Sequence, residues 1–368
     1  MKATTEFLSW LEYDIEGFVS RVTSQDVKRV LRKDSLTPED FLCLLSPAAE
    51  GFLEEMAILS QKITAHHFGR AILLFAPLYI ADYCQNQCVY CGFRAQNRFP
   101  RTKLSLEEIR KNGEVLSEKG FRHILLLTGD APSITPVDFL EEVLSLLSPM
   151  FDSLAVEVYP LSEEEYLRLR RVGLDGLTIY QETYDREVYD EVHPAGPKKD
   201  YLWRLGTPER GALAGLRWIT IGALYGLANP LHDAFWTGMH LLTLKKYYPS
   251  VEWGLSLPRM NPAEGDFVPT YHLSDKKFVQ FLFAFRIFFP TAGITLSTRE
   301  RPQMRDILLP LGVTKVSAES HTEVGGYAAQ NHHIPQFEVA DNRSVEEMIA
   351  VIRSKGFEPV FKDWVGVL

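Results

Sequence analysis

Three of the chain's four cysteines fall in one short stretch, Cys84-Gln-Asn-Gln-Cys88-Val-Tyr-Cys91. Thiolates are soft ligands that suit iron, and three at this C-x3-C-x2-C spacing can each hold one iron of a four-iron cube. The last iron then keeps an open coordination position. A cluster of that kind binds and reduces a ligand as well as carrying electrons, so this loop is the first candidate for an active site.

Other readings of the cysteines fit less well. A structural zinc site takes four tetrahedral ligands, usually as two C-x2-C halves, but no second half exists and Cys43 stands far upstream. Packing alone does not account for three cysteines in one loop, and a reducing compartment disfavours a disulfide with a spare thiol. Cys43, inside Phe-Leu-Cys-Leu-Leu, reads as a helix-core residue. His193, His66-His67 and His332-His333 have no spacing that converges on the cysteines and read as surface or cap residues. Glu157 places a carboxylate between Val156 and Val158 in an apolar run. A charge there requires a partner, which makes it a candidate ligand contact.

The 368 residues carry 39 Lys+Arg against 48 Asp+Glu, a formal charge of −9, and are 46% hydrophobic. These are ordinary globular proportions. The length suits two domains or one α/β barrel of ~250 residues with appendages. Basic residues cluster no further than pairs such as Lys198-Lys199 and Lys245-Lys246, so no stripe exists to track a nucleic acid. The N-terminus lacks the apolar core of a signal peptide. The longest apolar run, Ala71 to Ala81, is broken by Pro77 and falls far short of the ~20 residues of a membrane span. The expectation is a soluble, cytoplasmic protein with neither nucleic acid nor membrane as partner.

The residues that position the cysteines follow a repeating order. Strand-type runs occur near 72–80, 123–128, 154–159, 176–180, 217–222, 251–257, 293–297 and 313–317. Helix signals lie between them: Ser105 with Glu108 and Ser162 with Glu165 form capping boxes, closed by Gly120 and Gly173. Thr207-Pro208 reads as an N-cap with an N1 proline, stopped by Gly215, and Ser274 to Phe289 as an apolar helix. Eight β–α units predict a (β/α)8 TIM-type barrel of the α/β class, with an open doubly wound sheet as the alternative. The cysteines then sit at the C-terminal end of the first strand, where barrel enzymes build their sites. Residues 1–70 read as an N-terminal helical cap, 71–320 as the barrel and 321–368 as a C-terminal extension packing on it. That extension holds a helix from Ser344-Glu347 to Gly356 and a strand-like EPVFKDW.

The C-x3-C-x2-C motif, with Tyr90 before its last cysteine, resembles the signature of the radical S-adenosylmethionine (SAM) enzymes. The likeness runs on through LLSPAAEGFLE, APLYIADYCQNQCVYCGF, GLDGLTIYQETYDREVY, KKDYLWRLGTPER, LSTRERP, VSAESHTEVGGY and FKDW. Over nearly the whole chain these stretches resemble the aromatic amino acid lyases, above all the tyrosine lyases of thiamine thiazole biosynthesis, the 2-iminoacetate synthases. The resemblance implies one site-differentiated [4Fe-4S] cluster on Cys84, Cys88 and Cys91, with SAM chelated at the open iron. It also implies scission of the Cα–Cβ bond of L-tyrosine to p-cresol and 2-iminoacetate (dehydroglycine). A low-potential flavodoxin or ferredoxin and an association with thiazole synthase come with it. Hydrogenase-maturation tyrosine lyases share the likeness but carry further cysteines in a long extension, and none follows Cys91 here. Tryptophan lyases and menaquinone-pathway synthases remain rivals within the superfamily, and a zinc-stabilised scaffold remains the rival outside it.

The resemblance also distributes roles. Thr128-Gly129-Asp130 takes the place of the family's Gly-Gly-Glu-like motif facing the SAM amine, with Tyr90 beside the cluster. Glu157 is then most naturally a SAM contact. Gln181-Glu182 after strand four lies where the family's Gln-Glu-Thr-Tyr run meets SAM; the alternative is an acid favoured by a helix N-terminus. Arg204 suits the SAM carboxylate, against the alternative of a solvated ion pair, which also applies to Arg210. On the substrate side Arg299 is matched to the amino acid carboxylate, Tyr79 to the amine and Ser317 to an assisting hydroxyl. Packing at the barrel mouth is the other reading of Tyr79, and Arg259 is a further candidate.

Overall fold

The computed structural model describes residues 1–328 and 333–361. His332 and the Lys362–Trp364 part of the closing motif lie outside them. Eight parallel strands close on themselves: β1 (Ala71–Ala81), β2 (His123–Thr128), β3 (Ser153–Glu157), β4 (Leu174–Glu182), β5 (Trp218–Ala223), β6 (Glu252–Ser256), β7 (Gly293–Leu296) and β8 (Lys315–Ser317). β8 pairs back onto β1 with Leu73 opposite Lys315 and Phe75 opposite Ser317. The barrel expected from eight β–α units is therefore the observed fold, and the open sheet is not.

Local chemistry explains the helices between the strands. Ser105 and Ser162 accept from the backbone of Glu108 and Glu165, whose carboxylates return the bond, so Leu106–Glu118 and Glu163–Arg170 begin where the capping boxes place them. Gly120 and Gly173 follow at φ 91° and 110°, a region open to glycine and strained for other residues. Thr207-Pro208 departs from expectation. Gly206 is the N-cap, and the Thr207 hydroxyl donates back to the Trp203 carbonyl at 3.1 Å, because the short helix Tyr201–Leu205 runs directly into Thr207–Leu213.

The N-terminal helices, from Lys2–Leu8 to Leu53–Phe68, lie along the outer helices Pro230–Tyr247 and Asp275–Phe288. Phe41 stacks on Phe288 at 4.6 Å, and buried Glu209 takes the amides of Ala3 and Thr4 at 3.1 and 2.9 Å. These helices thus cover the barrel's flank, and none of their residues lines the mouth cavity. The mouth is instead lined, from the C-terminal part, by Ser320, Thr322, Gln336 and Phe337. The chain then forms the helix Val345–Ser354 and returns to the opposite end, where β9 (Glu358–Val360) pairs with Ala71–Leu73 of β1.

Candidate active site

The cysteine loop is built into the barrel end by backbone hydrogen bonds. Gln85 N donates to Asp130 O at 2.9 Å, Gln87 N to Ala195 O at 3.0 Å and Val89 N to Val192 O at 3.1 Å, so the loops after β2 and β4 grip it from two sides. Arg101 closes the far side, its guanidinium donating to the carbonyls of Asp82, Phe93, Arg94 and Asn97. Asn86 sits at the centre: its Nδ2 donates to Asp130 Oδ2 at 2.6 Å and its Oδ1 accepts from Lys198 N at 2.9 Å. All three thiols are free, and Cys91 lines the mouth cavity. Cys43 is buried in the helix Pro38–Leu45, away from them.

This loop fits an iron–sulfur cluster. Burial pushes the Cys84 thiol up to about 12, aided by Asp130 and Cys91, and pushes Cys88 and Cys91 up as well. Such thiols ionise only against a strong positive centre, which cluster iron is. Among the described residues no three His, Cys, Asp or Glu side chains are grouped as ligands of one metal ion.

Around the loop lie polar groups that the protein itself leaves unmatched. Thr128 Oγ1 and Gln181 Nε2 are buried and have no partner among the described residues. Gly129 approaches the loop so closely that a Cβ there would stand 2.3 Å from Tyr83 O and 3.1 Å from Cys84 Cβ. Buried polar atoms without partners are costly unless a ligand supplies them.

β4 carries a bulge at Gln181, since Tyr180 pairs with Gly222 and Glu182 with Ala223. Glu182 is therefore the last residue of the strand, held at φ 73°. The next helix, Arg186–Val192, is capped by Asp185 and not by Glu182. The bulge aims the Glu182 carboxylate at Lys198 Nζ, 2.5 Å away, and Arg204 Nη2, 3.1 Å away. Arg204 also donates to Tyr180 O at 2.7 Å and is buried, so it is no solvated ion pair. Arg210 is none either: it stacks 3.6 Å from the Trp203 ring and donates to Leu161 O, Trp203 O and Thr207. Lys198 escaped the sequence reading, as a Gly-Pro loop before a Lys-Lys pair carries no local sign of burial.

His193 is also inside. Its Nδ1 lies 2.8 Å from Tyr189 O and its Nε2 2.8 Å from Tyr90 Oη. A carbonyl only accepts, so Nδ1 carries the proton and Nε2 accepts from Tyr90. Burial, with Lys198 nearby, drops its pKa to about 3 and keeps the ring neutral. The surface reading of His193 is corrected, because the loop after β4 folds it beneath the cysteine loop. His66 and His67 are exposed, as expected.

The mouth cavity collects Tyr79, Tyr90, Cys91, Glu157, Glu182, Lys198, Arg299, Ser317, Gln336 and Phe337. Arg299, just past β7, is enclosed there, and burial lowers its pKa. Its guanidinium lies 3.3 Å from the Phe337 ring centre, and among the described residues it forms no ion pair. Arg259, by contrast, is engaged by Glu300 and Asp275 and faces a neighbouring cavity. Ser317 Oγ accepts from Thr298 N at 3.1 Å, fixing the turn that presents Arg299. Burial, with Glu182 adding to it, raises the Glu157 carboxyl to about 7. Tyr79 donates to Gln336 Oε1 at 2.8 Å. Gln336 and Phe337 were not foreseen; they reach the mouth only because the chain returns there some 250 residues after β1.

The chain is similar to known proteins. The model of the radical SAM superfamily matches residues 78–226, and that of the biotin and thiamin synthesis associated domain matches residues 256–358. The chain is 39% identical to 2-iminoacetate synthase of Escherichia coli K12 over 96% of its own length and 95% of that protein's. It is 38% identical to the 2-iminoacetate synthase of Salmonella typhimurium LT2 over 99% and 97%. The crystallised FeFe-hydrogenase maturase HydG of Carboxydothermus hydrogenoformans superposes with a TM-score of 0.90 at 33% identity, covering 98% of this chain and 85% of that one.

Proposed function

The chain belongs to the 2-iminoacetate synthase family of the radical SAM superfamily, and from this we propose that it cleaves the Cα–Cβ bond of L-tyrosine to p-cresol and 2-iminoacetate, the precursor of the thiamine thiazole. The cofactors are a [4Fe-4S] cluster and SAM. One observation carries the substrate reading: Arg299, a half-buried arginine that forms no ion pair among the described residues, shares a cavity with Cys91. A free amino acid needs a fixed cation for its carboxylate, and a buried cation needs an anion.

Cys84, Cys88 and Cys91 would hold the cluster, with Thr128, Gly129, Asp130, Gln181, Glu182, Arg204, Glu157 and Tyr90 around SAM. When bound, the pair supplies, by one-electron reduction of the sulfonium, a 5′-deoxyadenosyl radical, leaving methionine. The chain's own side chains do the rest. Arg299 orients the tyrosine carboxylate with its planar fork, and Phe337 holds the guanidinium plane. Tyr79, whose phenol burial keeps protonated, donates to Gln336 and leaves its oxygen lone pairs free to accept from the substrate amine. Ser317 keeps the Arg299 turn in place. The phenol fragment left by scission delocalises its unpaired electron into the ring oxygen.

The required electron points to a low-potential flavodoxin or ferredoxin, and the unstable product to contact with thiazole synthase. Among the described residues no helix is long and apolar enough to cross a membrane, and we place the enzyme in the cytoplasm. The test is an anaerobic reaction with SAM and dithionite offering tyrosine and tryptophan side by side. p-Cresol and glyoxylate, the hydrolysis product of 2-iminoacetate, from tyrosine alone support the reading. 3-Methylindole or 3-methylindole-2-carboxylate without p-cresol overturns it.

A further inference from the structure

Gln336 presents a two-ended amide at the barrel mouth. Its Oε1 accepts from Tyr79 Oη at 2.8 Å, and its Nε2 faces Cys91 Sγ at 3.9 Å. The backbone of the same residue is pinned on both sides. Gln336 N donates to Thr322 O at 3.0 Å, and its carbonyl accepts from Gly92 N, the amide after Cys91, at 3.2 Å. No side chain fits at Gly92, where a Cβ would stand 2.8 Å from Gln336 O. The next residue, Phe337, supports Arg299 at 3.3 Å and accepts at its carbonyl from Thr322 Oγ1 at 2.7 Å. One dipeptide from the C-terminal part of the chain thus touches the tyrosine placed at the amine, the arginine placed at the carboxylate and a cluster cysteine.

The chemistry of that amide is directional. An N–H donated to a thiolate ligand draws charge from the sulfur and favours the reduced, more negative cluster, raising its potential. The strength of the donation depends on the other end, because an acceptor oxygen that receives a good hydrogen bond polarises its own N–H. A ligand that changes what Tyr79 does with its hydroxyl therefore changes what Cys91 receives.

We propose that Gln336 is a positioning residue that couples substrate occupancy at Tyr79 to the cluster through the Cys91 sulfur. This rests on the reading of Cys91 as an iron ligand and Tyr79 as the amine partner. Iron content and wild-type turnover measure that premise separately.

The test is an anaerobic redox titration of the holoenzyme, followed by the electron paramagnetic resonance of the reduced cluster, with and without tyrosine. The wild type should change potential and spectrum when tyrosine binds. Gln336→Leu and Gln336→Met, at full iron content, should titrate at a lower potential and lose the tyrosine response. Their KM for tyrosine should rise about fivefold, the worth of one neutral hydrogen bond. Tyr79→Phe should lose the tyrosine response while keeping a resting potential above that of the Gln336 variants. A Gln336 variant with full iron, a wild-type potential and a wild-type response to tyrosine overturns the proposal, even if its turnover is reduced. The two substitutions differ in shape, so a packing defect in one does not decide the result.

Discussion

Glu182 Oε1 accepts from Arg204 Nη2 at 3.1 Å and from Lys198 Nζ at 2.5 Å, so one carboxylate oxygen lies between a buried guanidinium and a largely covered ammonium. Burial alone would raise this acid, but Lys198 and Arg204 outweigh it and hold its pKa at about 2. The residue stands at φ 73°, a conformation that costs a non-glycine residue on the order of 1 kcal/mol and persists only where contacts enforce it. Glu182→Gln leaves both cations without their anion and should destabilise the protein by about 3–5 kcal/mol. Because the folded pKa is depressed, the stabilisation is present above the ordinary carboxylate value and is lost as pH falls toward 2. The loss should therefore be equal at pH 6 and pH 8, values chosen roughly to bracket neutrality. Urea unfolding at the two pH values checks it, and an unchanged midpoint removes the triad from the list of structural elements.

Arg299 differs in forming no close ion pair among the described residues, although Glu157 and Glu182 act on it from across the cavity. If it receives the substrate carboxylate, Arg299→Ala should weaken tyrosine binding by roughly 3 kcal/mol, of order a hundredfold, while SAM affinity stays nearly constant. Arg299→Lys keeps the charge but neither the planar fork nor the flat contact with Phe337, so it should recover only part of the loss. Loss of SAM affinity with normal tyrosine binding would move Arg299 to the cofactor side.

Removing any one of Cys84, Cys88 or Cys91 leaves two thiolates for a cube that needs three. Each alanine variant should lose iron and form no 5′-deoxyadenosine under dithionite. Cys43→Ala, which trims a buried side chain in a helix remote from the loop, should keep both. An active Cys88→Ala variant contradicts the assignment, as does a folded Cys43→Ala variant without a cluster.

What could be read from the chain and what could not divides along a physical line. Ser105-Glu108, Ser162-Glu165 and Ser344-Glu347 act within one helical turn, so their geometry is written in adjacent residues, and the helices start there. The eight strands are legible for a similar reason, each lying in a short run of strand-type residues between turn and helix signals. The β4 bulge is not, because an extra residue shows only against the register of β5, and this is why Gln181 and Glu182 read as following strand four and not as its end. His193 and Lys198 are polar residues in a Pro-Gly loop, ordinarily a surface signal. His193 is buried and Lys198 largely covered because that loop docks its backbone on Gln87 and Val89. Gln336 and Phe337 meet Tyr79 and Arg299 across the mouth, a contact that only closure of the barrel creates.

Glu157 gives the last prediction, because its effects on folding and on binding have opposite signs. Burial and the nearby Glu182 raise it from 4.5 to about 7. A raised folded-state pKa means that the relative stability from this group is fully present below the unfolded value and is lost as pH climbs through the folded one. Glu157→Gln is neutral at every pH. It should match the wild type at about pH 5 and be more stable at about pH 8, by at most roughly 3 kcal/mol. Binding runs the other way. SAM carries a permanent sulfonium charge that the ionised carboxylate attracts, so wild-type affinity should rise through pH 7 as Glu157 loses its proton. The Gln variant should bind weakly at both ends with a flat profile. Calorimetric melting of the protein, with SAM titrations of the holoenzyme across this range, measures both quantities. A variant that is less stable than the wild type at about pH 8 would mean that Arg299 or Lys198 already neutralises Glu157 within the fold, and its carboxylate would then belong to the framework of the pocket and not to its ligand.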